Sequence, residues 1–163
     1  MIRLLNSRRT PLAPGLLAVL LLLSGCGNSP TTAPAAPTID VKLKDKHFAM
    51  EIAATEKQRE VGLMHRDSMP ADHGMLFLFD KPKVRAFWMA HTSLPLDLIY
   101  LDQHGKVVDV LPLVPNDTTP IYSSSPILYA IELNRDAAGA ADVHVGDQID
   151  LPKDLPPAEE DPR

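Results

Sequence analysis

The stretch "FWMAHTSLPLDLIYLD", Phe87–Asp102, decides the fold. In a strand successive side chains point to opposite faces, so Leu96, Leu98 and Tyr100 share one face while Asp97, Ile99 and Leu101 share the other. Applied to Val84–His91, the same parity sets Val84, Ala86, Trp88 and Ala90 against Arg85, Phe87, Met89 and His91. Both segments carry large apolar groups on both faces, which requires cover on both sides. Asp97 enters a face that continues as core, where an ionised carboxylate is costly unless it is paired or hydrogen-bonded. Its candidate partners are Arg59, Arg66, Arg85, the Thr92 hydroxyl and the amides of the turn at Ser93–Pro95. Two readings stay open: a structural ion pair or turn-capping carboxylate, and a pocket floor of Asp97, His91 and an arginine beside the Trp88 ring.

Outward from that stretch the pattern is mostly strand. "LDLIYLD", the turn "QHG" and "KVVDVLPLV" read as a hairpin, "MLFLF" and "ILYAIEL" as buried strands, and "VGDQIDL" as a turn and a strand. "TIDVKLKDKHFAMEIA" alternates, breaks at Asp45-Lys46 and resumes, giving two strands or one bent strand. "ATEKQREVGLMHR" changes period. Thr55 with Gln58 three residues on has the form of a capping box, so a brief helix is predicted, ending near Gly62. "NRDAAGAADV" has room for one helical turn. The predicted fold is mainly β, a compact antiparallel sandwich or jelly-roll-like barrel with one or two short helices.

The ends differ in composition. Arg3, Arg8 and Arg9 precede the apolar run "GLLAVLLLLSG", which has the length of a signal-peptide core and is too short to span a bilayer. Leu23-Ser24-Gly25-Cys26 resembles the lipobox of bacterial lipoproteins, which implies cleavage before Cys26 and lipid attachment to its sulfur. Cys26 is the sole cysteine, so no disulfide is available and lipidation gives the thiol a fate. Several acyl chains, at about 0.8 kcal/mol per buried methylene, would hold the protein on a membrane. Gly27, where an inner-membrane retention signal usually has Asp, points to the outer membrane by the same resemblance. The expected organisation is a signal peptide at 1–25, anchor and Pro/Ala/Thr tether at 26–38, one β domain at 39–151 and a loose acidic tail at 152–163. Loss of residues 1–25 would move the net charge from −5 to −8, a poor match for nucleic acid, which is not expected as a partner.

Arg59, Gly62-Leu63-Met64, Arg66, "GMLFLF" from Gly74, "FWMAHT" from Phe87, "PLDLIYLD" from Pro95, Gly105, Glu132 and Gly146-Asp147 resemble, in order and spacing, the domain of unknown function 192 family. The likeness runs over nearly all of residues 39–151. The family's W-M-K-N-T stands here as Trp88-Met89-Ala90-His91-Thr92, so two positions depart. The resemblance implies a compact, mainly β fold of the sandwich or jelly-roll kind and no established activity.

The remaining motifs are weaker. His65, Met69 and His73 fall at four-residue intervals, with Met64, Met75, Met89 and His91 nearby, a soft set that would suit Cu(I). Pro70 breaks any common helical face, and core packing accounts for Met64 and Met75. "HRD" at His65–Asp67 lacks the other parts of a kinase site, and Ser123–Ser125 lacks a nucleophile elbow. Glu132 and Asp97 form a carboxylate pair only if the fold brings them together. The expectation is an exported, lipid-anchored module, without catalytic residues, metal or cofactor, that binds an envelope glycan, small molecule or protein. Its ligand surface would be Arg59, Arg66, Trp88, His91, Thr92 and Asp97. The rivals are an envelope hydrolase with Asp97 or His91 as base and a copper-binding protein using the His and Met side chains.

Overall fold

The computed structural model describes residues 37–161. The proposed signal peptide, Cys26 and most of the tether lie outside them. Eight strands and two helices follow in order: β1 Thr38–Leu43, β2 Lys46–Ala53, α1 Glu56–Val61, β3 His73–Lys83, β4 Ala86–Phe87, β5 Leu96–Leu101, β6 Val107–Leu113, β7 Ile121–Tyr122, β8 Ile127–Asn134 and α2 Ala137–Ala140.

Six strands form one sheet in the order β1-β2-β3-β8-β5-β6, and β4 pairs with β7 in a separate ribbon. The predicted barrel or jelly-roll closure is therefore wrong. β1 and β6 are the two edges of an open sheet, and β2 runs parallel to β3, from Ala49 opposite His73 to Ala53 opposite Phe77. Antiparallel neighbours can be joined by a tight hairpin, whereas a parallel pair needs a crossover. Residues 54–72, which contain α1, are long enough to carry the chain back over the sheet, as a parallel pair requires.

Local chemistry explains the elements that match expectation. The Thr55 hydroxyl accepts from the Gln58 amide at 3.2 Å, and the Gln58 side chain accepts from the Thr55 amide at 3.0 Å, completing the capping box. Gly62 ends α1 with φ of +46°, a conformation that glycine adopts without a Cβ clash. The β5–β6 hairpin turns where Asp102 Oδ1 accepts from the amides of His104 and Lys106. Two predicted strands shrink. Val84–His91 is strand only at Ala86–Phe87, because the Thr92 amide turns back to the Met89 carbonyl and His91 takes φ of +54°. "VGDQIDL" contributes a single bridge, Lys106 to Gln148.

The central sheet buries both faces. One holds Phe48, Met50, Leu76, Ile99, Ile131 and Leu133, covered by Ala138 and Ala141 of the α2 region with Val143 and Ile149. The other holds Met75, Phe77, Leu98, Tyr100 and Ala130, covered by Leu63, Met89 and Leu94, with Phe87 and Ile121 of the ribbon packed against it. At roughly 1.5–3 kcal/mol per fully buried large apolar side chain, both covers are needed.

The segment after residue 151 corrects a second expectation. Leu151, Leu155 and Ala158 pack against the first face. Glu159 then fixes the segment to the start of α1 by three hydrogen bonds. Its amide donates to the Ala54 carbonyl at 2.8 Å, and its Oε2 accepts from the Glu56 amide at 2.8 Å. Arg59 Nη2 donates to the Glu159 carbonyl at 3.3 Å. The expected loose tail is thus a strap docked on the first turn of α1.

Gly74, in β3, sits where a Cβ would lie 2.6 Å from the Glu132 carbonyl oxygen and 2.7 Å from Leu133 and Met50 side-chain atoms. Gly74→Ala is expected to cost about 1–3 kcal/mol in denaturant melts. Gly139→Ala, with nothing within 4 Å of its Cβ, is expected to be neutral or slightly stabilising.

Candidate functional site

A cleft of about 570 Å³ opens on the second face of the sheet, between α1, the end of β3, the β4–β7 ribbon and the strap. Its inner wall is aromatic. Phe87 meets Phe77 edge-on at 4.9 Å and Tyr100 at 5.6 Å between ring centroids. Phe79 lies under two guanidinium groups, Arg85 at 4.3 Å and Arg59 at 5.5 Å from its ring centre. Val61, Val84, Trp88 and Tyr122 stand exposed around the mouth.

The floor carries Glu132 of β8. Met75 and Leu98 flank it across the sheet, so the carboxyl lies among apolar groups with only 5% of the residue exposed. It accepts no hydrogen bond from any described residue. Burial alone pushes its pKa up to about 8. The groups around it are committed elsewhere. The Tyr100 hydroxyl donates to the Ile121 carbonyl at 2.7 Å, and the Thr92 hydroxyl donates to the Ala90 carbonyl at 3.2 Å. Burial also raises the Tyr100 phenol, helped by the Glu132 charge.

The six residues expected to form one ligand surface divide. Arg59, Trp88 and Thr92 line the cleft. Arg59 is held by the Ala54 and Leu78 carbonyls, at 2.6 and 3.1 Å, and Trp88 is 42% exposed. Arg66 turns to Glu51, bonding it in bidentate fashion at 2.5 and 2.8 Å, and that bond lowers the Glu51 pKa. His91 is exposed and stacks on His65 with ring centres 5.4 Å apart. Asp97 lies on the opposite face of the sheet. Its Oδ2 accepts from the Ala138 amide at 3.1 Å, and Arg135 Nε approaches Oδ1 at 3.9 Å. Burial raises its pKa, against the opposing pull of that amide and of Arg135. None of the partners expected for Asp97 is the one observed. The structure places it as the carboxylate that caps α2, whose own N-cap, Asp136, makes no side-chain capping bond.

Glu132 and Asp97 therefore do not form a carboxylate pair, since neighbouring strands present them to opposite faces. Of the soft ligand set, Met75 and Met89 are core and His73 bonds Asp72 at 2.9 Å. Among the described residues no three His, Cys, Asp or Glu side chains converge as metal ligands. A second, shallower depression beside Phe48, Met69 and Asn134 offers no comparable acid, and Asn134 donates to the Met69 and Pro70 carbonyls. The residue missed from sequence is Glu132. Its signal is an acid in phase with Ala130, in a strand apolar on both parities.

The Glu132 carboxyl makes a pH prediction whose sign follows from its raised pKa. The folded state holds the proton up to about pH 8, whereas the unfolded chain releases it near its ordinary value of 4.5. Stability is therefore lost as pH rises between those values and levels off above them. In denaturant melts, Glu132→Gln is expected to gain on the native chain by an amount on the order of a few kcal/mol from about pH 5 to about pH 8, with no further gain beyond. A gap independent of pH would show that the carboxyl ionises freely.

No curated protein matches this chain. A crystal structure from Sinorhizobium meliloti 1021, described as a "putative transcription regulator", is 35% identical, with TM-score 0.61 over 64% of this chain and 81% of that one. A protein of unknown function from Novosphingobium aromaticivorans DSM 12444 is 29% identical, with TM-score 0.67 over 74% of this chain and 94% of that one. The family described as DUF192, "Uncharacterized ACR", matches residues 39–151. With that match spanning the sheet, α1, the ribbon and Glu132, the chain belongs to the DUF192 family.

Proposed function

We propose that this protein is a bacterial lipoprotein of the cell envelope, exported through residues 1–25, acylated at Cys26 and carried on the 27–38 tether at the outer membrane, facing the periplasm. Its domain is a binding module for a small molecule, and it performs no chemistry of its own. The carrying observation is the clustering of exposed apolar groups. Six large apolar side chains among the described residues are exposed, and four of them, Val61, Val84, Trp88 and Tyr122, ring one cleft. Scattered exposed apolar residues need no explanation, but a ring of them over a concave aromatic wall fits ligand capture. A volume of about 570 Å³ suits a small molecule better than a glycan chain or a protein surface. The net charge of −5 argues against nucleic acid as the ligand.

The hydrolase alternative loses its proposed base, because Asp97 is engaged by α2 on the far face and His91 lies outside the cleft. Among the ligand residues first expected, Arg59, Trp88 and Thr92 stay in the reading, joined by Phe79, Phe87, Tyr122 and Glu132.

Truncation of the rim tests the cleft. Trp88→Ala and Tyr122→Ala are expected to change stability by less than about 1 kcal/mol, since both rings are exposed. Both are expected to weaken retention of small aromatic fragments, read by ligand-detected NMR on the intact domain. Loss of stability of about 3–5 kcal/mol in Trp88→Ala would mark the ring as core instead. Metabolic labelling with a palmitate analogue, present in the native chain and absent from Cys26→Ser, checks the anchor.

A further inference from the structure

We infer that the cleft takes an organic cation, an ammonium group carried on an apolar or aromatic body, with the charge set against Glu132 and the body among Phe77, Phe87, Trp88 and Tyr122. This inference rests on the cleft being a ligand site, and it names the chemical class of the ligand.

The first support is the state of the donors around Glu132. A buried carboxyl without a hydrogen bond is expensive, and a folded chain normally supplies one. Here the nearby hydroxyls of Tyr100 and Thr92 donate to backbone carbonyls. The terminal nitrogens of both guanidinium groups of the cleft are also engaged, and among the described residues only the buried Arg85 Nε lacks an acceptor. Arg59 holds the Ala54, Leu78 and Glu159 carbonyls, and Arg85 pairs with Asp161 and Asp80 and donates to the Lys81 carbonyl. The carboxyl nevertheless lines an open cleft. Its missing partner can therefore arrive from outside.

The second support is the wall. Aromatic faces carry negative charge density and attract a cation within about 6 Å of the ring centre, most strongly when water is excluded. Phe77, Phe87, Trp88 and Tyr122 all line the cleft. The other charged groups lining it, Glu56, Glu60 and Asp161 against Arg59, Lys83 and Arg85, balance, so ionisation of Glu132 is what would give the lining a net negative charge.

The alternatives gain less. An anion would need Glu132 to stay protonated, and it would find the terminal nitrogens of Arg59 and Arg85 already engaged, with only the buried Arg85 Nε–H open to it. A neutral ligand would gain one ordinary hydrogen bond from the protonated acid. An ammonium ion converts that acid to a carboxylate and forms a charge-assisted bond, the strongest of the three contacts. The proton displaced from Glu132 passes to the buffer.

Three probes of similar shape separate these cases: phenethylammonium, 2-phenylethanol and phenylacetate. Titration calorimetry near pH 7, in two buffers of different ionisation enthalpy, is expected to show phenethylammonium binding about tenfold or more tighter than the other two, with release of close to one proton. The proton count needs no variant, so it stands even if a substitution disturbs folding. In Glu132→Gln the preference for the amine over 2-phenylethanol is expected to vanish, and the proton release with it. Equal binding of amine and alcohol, or an amine preference that survives Glu132→Gln, would overturn the cation inference. If 2-phenylethanol then still depends on Trp88, the binding cleft stands and only its ligand class is wrong. Failure of all three probes to bind the native chain would remove both.

Discussion

The requirement that both faces of the central sheet be kept from water governs this structure. β3, β8 and β5 carry apolar side chains on both parities, and neither face can be left to solvent without losing several large side chains' worth of burial. The two covers are unlike. On one face α2, the segment after it and the strap form a continuous layer. On the other, the cover is assembled from Leu63 just after α1, the loop holding Met89 and Leu94, and a two-stranded ribbon. The cleft lies where these pieces meet, and Glu132 lies beneath it.

Two carboxylates on adjacent strands illustrate the difference. Asp97 faces the continuous layer and is satisfied by it, through the Ala138 amide and the charge of Arg135. That contact helps hold α2 in place, because a helix of four residues depends on packing and on a remote cap. Glu132 faces the discontinuous layer and is left without a donor. Burial raises the pKa of both groups, but only Glu132 has access to a cleft.

Legibility in the sequence depends on range. The capping box at Thr55–Gln58 and the hairpin at Asp102–Lys106 are local, and their residues specify them directly. The two-faced burial of β5 follows from parity, as does the penalty on Asp97. Parity says which face a side chain enters but not what covers that face, so Arg135 and Ala138, far along the chain, cannot be named as its partners. The same limit hides the parallel pairing of β2 and β3 and so suggests a barrel. The strap misleads for a different reason: proline and acid suggest a loose tail, while Leu151, Leu155 and Ala158 supply enough apolar surface to dock it. Glu132 is visible as an acid in a buried strand, and the desolvation cost that singles out Asp97 applies to it equally.

The sheet order has a consequence for the timing of assembly. β3 pairs with β8, Gly74 opposite Leu133, and Glu159 closes on Glu56 across 103 positions of chain. During synthesis the free edge of β3 must wait for β8, and the start of α1 must wait for Glu159. Such long-range pairing slows folding and leaves hydrophobic strand edges open in the meantime. A nascent chain of this kind stays pliable until β8 and Glu159 have emerged, a condition under which threading through a narrow channel remains feasible.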